Sequence, residues 1–98
     1  MEKIKNIINN KSVGNAFFNL YDRWRDESEY EDINDYGKAI MSTINKQYPE
    51  YGAKLLASTK RPFGVKIQIE DKKVHIFAKL KGSYVVICAK LVAWTTKQ

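Results

Sequence analysis

The order of apolar and polar positions changes character about halfway along the chain. In the first half, apolar residues recur every three or four positions, the spacing of an amphipathic helix. Ile4, Ile7 and Ile8 mark one face of a short opening helix that Asn9-Asn10 end. Ser12 is suited to an N-cap, and after it Val13, Ala16, Phe17, Leu20, Tyr21 and Trp24 keep helical spacing, weakened slightly by Gly14. Residues 26–32, Asp-Glu-Ser-Glu-Tyr-Glu-Asp, read as an acidic linker. Its carboxylates favour the N-terminus of the helix that follows. That helix buries Ile33, Tyr36, Gly37, Ile40, Met41 and Ile44 and stops before Pro49, since the residue preceding proline avoids the α region. Glu50 to Ser58 is expected as a last short helix with Leu55 and Leu56 inward, and residues 59–64 as a basic turn.

The second half alternates. Val65, Ile67 and Ile69 interleave with Lys66, Gln68 and Glu70, then Asp71-Lys72 turn the chain. Val74, Ile76, Ala78 and Leu80 interleave with Lys73, His75, Phe77, Lys79 and Lys81, and Lys81-Gly82 turn it again into Tyr84–Trp94. This predicts a three-stranded antiparallel meander. The expected fold is α+β, one domain over residues 1–98. About three to four helices (residues 1–58) pack on one face of that sheet (residues 64–94). The last strand is apolar on both sides, with Val86, Cys88 and Val92 turned outward. Either a second copy covers it, pairing through this edge or its outer face in a homodimer, or the N-terminal helices or the tail Thr95–Gln98 fold over it.

Composition narrows the chemistry. Hydrophobic residues make up 44% and charged residues 29% of 98, a globular balance rather than a disordered one. The lone Cys88 excludes an internal disulfide and suits a reducing cytoplasm. Cys88 and His75 are too few for a Cys/His zinc site. The acids lack the spacing of a calcium loop, and the glycines at 14, 37, 52, 64 and 82 form no phosphate-cradling loop. The start, Met-Glu-Lys-Ile-Lys, shows no signal peptide. The longest near-apolar run, Tyr84–Trp94, is short of the ~20 residues of a membrane span. A cytoplasmic protein without metal, cofactor or membrane anchor is expected.

Charge gives the pattern a direction. The formal net charge is +6, but residues 1–53 hold 7 basic and 9 acidic residues, whereas residues 54–98 hold 10 basic and 2 acidic. Alternation assigns Lys66, Lys73, His75, Phe77, Lys79, Lys81, Tyr84, Lys90 and Trp94 to the open face of the sheet, beside the basic turn Lys60-Arg61. Lysines attract phosphates, and aromatic rings stack on unpaired bases. A helix-then-hairpin order also fits a winged helix, but the third helix begins acidic and offers DNA only Lys38 and Lys46. The leading expectation is a non-enzymatic protein whose sheet face contacts nucleic acid or a nucleoprotein. The alternative is a protein-directed inhibitor or adaptor of a phage or mobile element, acting on a host defence nuclease in the manner of an anti-CRISPR. Its contact surface would be the same face or the acidic stretch Asp26, Glu27, Glu29, Glu31 and Asp32, which can imitate phosphates. A small ribonuclease toxin is the third reading, and it would need His75 as its acid or base.

Overall fold

The computed structural model describes residues 2–27 and 32–92. Three helices lead: α1 (Glu2–Asn9), α2 (Lys11–Glu27) and α3 (Ile33–Gln47). A 3-10 turn over Pro49–Tyr51 follows, then β1 (Lys54–Lys60), β2 (Phe63–Ile69), β3 (Lys72–Lys81) and β4 (Tyr84–Leu91). The strands form one antiparallel sheet in the order β1-β2-β3-β4.

The helical stripes behave as their spacing requires. Ile4 and Ile7 of α1, Val13 and Phe17 of α2, and Tyr36, Ile40, Met41 and Ile44 of α3 are buried in one core. Leu20, Tyr21, Trp24 and Ile33 pack against it, partly exposed. Helix α2 is capped differently from expectation. Asn10, not Ser12, receives the Val13 N–H on its side-chain oxygen at 3.0 Å. The helix starts two residues earlier than the apolar stripe does, so the capping position moves back with it. Asp32 caps α3 by accepting from the Asn34 N–H at 2.9 Å.

The sheet has four strands, not three. The segment expected as a last helix with Leu55 and Leu56 inward, together with the first part of the expected basic turn, is the edge strand β1. Its register with β2 shifts between Leu55 and Ala57, a bulge that leaves Leu56 45% exposed while Leu55 packs on the core. The bulge breaks the alternation that would mark a strand. Lys72, expected in the turn, begins β3, and β4 ends at Leu91. Beyond that end, Ala93 and Trp94 lie outside the described residues.

The helices cover one face only. Helix α3 lies on β1 and β2, α2 on α3 and β3, and α1 against β4. Beneath them Val65, Ile67, Ile69, Val74, Ile76 and Ala78 are buried. Gly37 permits the closest approach of α3 to β1. A Cβ there would overlap the Ser58 side chain, whose hydroxyl is buried without a hydrogen-bond partner. Phe63, expected in a turn, opens β2 and forms the hub of an aromatic cluster. Its ring meets Phe17 at 5.7 Å, Tyr21 at 5.6 Å and Tyr36 at 5.9 Å, each near edge-to-face. Leu80, expected inward, is 65% exposed. The register of β2 with β3 ends at Gly64–Phe77, so Leu80 lies beyond the last residue of β3 that β2 pairs.

Candidate nucleic-acid interface

The face of the sheet away from the helices is built row by row by the strand register. One row runs Ala57, Lys66, His75, Lys90, and the next runs Thr59, Gly64, Phe77, Cys88. On one side lie Lys54, Gln68 and Lys73; on the other, Lys79 pairs with Val86 and Lys81 with Tyr84. Side chains two apart on one strand stand about 6.8 Å from each other. The positions Lys73, His75, Phe77, Lys79 and Lys81 therefore form a continuous track along β3.

No strand contains an aspartate or glutamate. The acids nearest in sequence, Glu70 and Asp71, sit in the turn between β2 and β3, and Glu70 pairs with Lys3 at 3.4 Å. Lys60, Arg61, Lys66, Lys79, Lys81 and Lys90 make no ion pair among the described residues. Like charges on neighbouring strands repel, so this face has a deficit that an anion relieves.

His75 sits between Lys66 and Lys90 in its row. Its Nε2 lies 2.9 Å from Thr59 Oγ1, and that hydroxyl donates to the Pro62 carbonyl at 2.7 Å. A hydroxyl has one proton to give, so Thr59 accepts from His75. The ring is therefore protonated on Nε2, and Nδ1 holds the lone pair when the ring is neutral. The contact crosses β2 beside Gly64, where no side chain intervenes. Phe77 lies over that glycine: a Cβ on Gly64 would stand 2.7 Å from Phe77 Cα and collide with the Ile76 carbonyl. The Phe77 ring packs on His75 at 5.0 Å.

Burial first, and then the Lys66 charge, hold the His75 pKa below its ordinary value. A lowered histidine pKa means that the unfolded chain takes up its proton first. Fold stability is expected to be constant above about pH 6.5 as far as this group is concerned. It should then fall as the pH drops from there to the native pKa. Thermal unfolding of the wild type and of His75→Gln between neutral and mildly acidic pH checks this; the variant should lack the loss within that window.

The structure brings Lys66, His75, Phe77, Lys79, Lys81, Tyr84 and Lys90 onto one face, with Lys73 in the neighbouring row. Tyr84 is 73% exposed and Phe77 half-buried. Lys60 and Arg61 stand apart, at the turn joining β1 to β2. Trp94 lies outside the described residues. The acidic stretch is divided: Asp26 lies 3.9 Å from Arg25, Asp32 caps α3 and Glu27 closes α2. Glu29 and Glu31 are outside the description. Sequence reasoning missed Thr59 and Gly64, because it placed both in a turn; the Ser-Thr pair before Lys60 is the one strand-forming signal there.

Among the described residues no group of three or more His, Cys, Asp or Glu could hold a metal ion. Among the same residues no helix is long and apolar enough to cross a membrane. Comparison with protein-family models, with characterised proteins and with solved structures finds no match to this chain.

Proposed function

We propose that this protein binds nucleic acid, free or within a nucleoprotein, through the open face of its sheet, and that it does so without catalysis. One observation carries the reading: a four-stranded face that no described helix covers, which presents lysines around His75 and Phe77 and has no acid on any described strand. Phosphates satisfy the cations, and bases stack on the aromatic rings. The His75 ring is oriented by a hydroxyl rather than a carboxylate, and its partners across the strands are Lys66 and Lys90, with no carboxylate on any of the described strands. Binding therefore accounts for the arrangement better than acid–base cleavage does. A protein-directed role for the acidic stretch has less support, since Asp26 and Asp32 already serve Arg25 and the α3 N-terminus.

The test is titration of a labelled single-stranded oligonucleotide with the wild type and Phe77→Ala. Loss of one stacked base should weaken binding at least about fivefold, with the oligonucleotide recovered intact. Equal affinity of the two proteins would remove Phe77 from the interface, and degradation that His75→Gln abolishes would make the protein a nuclease.

A further inference from the structure

Strands β3 and β4 run on past the end of β2, and the turn Lys60-Arg61-Pro62 rises beside them. Between the two lies a notch of about 340 Å³. Its walls are apolar, from Tyr21, Phe63 and Leu80, and its rim carries Lys60, Arg61 and Lys79. The 65% exposure of Leu80, on the sheet face that is elsewhere buried, belongs to this notch. Strand β2 offers no partner to Ala78–Lys81, so this β3 backbone edge faces the opening with peptide groups that no strand claims among the described residues.

From this we infer that the notch is the subsite for one unpaired nucleotide of a bound strand. The base would enter between Leu80 and Tyr21, and its phosphate would be held by Lys60, Arg61 and Lys79. The inference rests on the nucleic-acid reading and deepens it, because a base paired inside a duplex cannot enter. Three features select this occupant. The volume lies at the lower end of small-ligand pockets, roughly 300–1,000 Å³. The open strand edge offers donors and acceptors to the polar edge of a base, which a purely aliphatic side chain would leave unused. The three rim cations make no ion pair among the described residues and call for an anion. A second copy of the chain would instead bring two strongly basic halves together.

The experiment compares three labelled probes by fluorescence anisotropy: a short single strand, the same strand without bases, and a duplex. Each is titrated with the wild type, Leu80→Ser and Arg61→Ala. Leu80→Ser should weaken binding of the base-bearing strand at least about fivefold and leave the baseless strand and the duplex unchanged. Arg61→Ala should weaken the base-bearing and baseless strands together. Because Leu80 is largely exposed, its variant should unfold at the wild-type temperature. Wild-type binding of the single strand with no effect of Leu80→Ser would overturn the subsite and leave the sheet-face reading standing. Failure of the wild type to bind any probe would overturn both. If sedimentation shows a dimer that Leu80→Ser dissociates, with oligonucleotide affinity unchanged, the occupant is a second copy and the inference is wrong.

Discussion

Raising monovalent salt fourfold is expected to weaken single-strand binding about 50-fold, if four phosphates are contacted and each contributes a slope of about −0.7 in log affinity against log salt. The contacts foreseen are one phosphate each at Lys66, Lys81 and Lys90, and one shared by Lys60, Arg61 and Lys79, cations that have no acidic partner among the described residues. Each released counterion adds to the slope, so Lys66→Ala or Lys90→Ala should lower its magnitude by about 0.7 while weakening all sequences alike. Anisotropy titrations across a salt series measure both quantities. A flat salt dependence would mean that the lysines are simply hydrated. Burial and the Lys66 charge hold the His75 pKa down; a bound phosphate favours the imidazolium, so binding should tighten as the pH falls toward that lowered pKa.

Replacing Phe63 by alanine is expected to destabilise the fold by about 3–5 kcal/mol, as for other buried Phe to Ala changes. Phe63 is 3% exposed and stands at the point where α2, α3 and the sheet meet. Its edge-to-face contacts with Phe17, Tyr21 and Tyr36 all disappear together, and such pairs add ~0.5–1.5 kcal/mol each beyond the buried area. The cavity would also release Tyr21, one wall of the notch. Urea unfolding of Phe63→Ala against the wild type gives the number. By comparison Leu80→Ser should leave the midpoint nearly unchanged. A loss below about 1 kcal/mol for Phe63→Ala would show that the cluster repacks around the gap.

How far the fold could be read depended on local regularity. The stripe from Val13 to Trp24 repeats without interruption, and α2 follows it. β2 and β3 alternate through their paired stretch except at Gly64 and Phe77, and Val65, Ile67, Ile69, Val74 and Ile76 are buried as the alternation expects. β1 was illegible because the adjacent Leu55 and Leu56 at its bulge look like a helical face, and because Ala57 faces outward while the polar Ser58 turns its hydroxyl inward. For Leu80 the alternation held but the covering layer did not. Periodicity reports direction, whereas burial also needs a neighbour, and β2 ends too early to supply one.

The open face of the sheet was legible to the same degree. Period two puts the lysines, His75 and Phe77 on one side, and the register confirms those neighbours. The Thr59 contact that fixes the His75 tautomer joins residues 16 apart across an intervening strand. Nothing in the local pattern announces it, since it depends on β1 being a strand at all. The notch likewise arises from unequal strand lengths, a property of pairing rather than of any segment.

Nucleic acid bound on the open face of the sheet would alter the surroundings of the strand amides there and leave the helices on the other face alone. Backbone amide shifts of isotope-labelled protein, followed during titration with a short single strand, read this out residue by residue. The amides of Lys66, His75, Phe77, Lys79 and Lys90 should move together and saturate, with those of α1 and α3 left in place. Saturable shifts confined to Asp26, Asp32 and the start of α3, or no shifts on the sheet at any ratio of strand to protein, would contradict binding on that face.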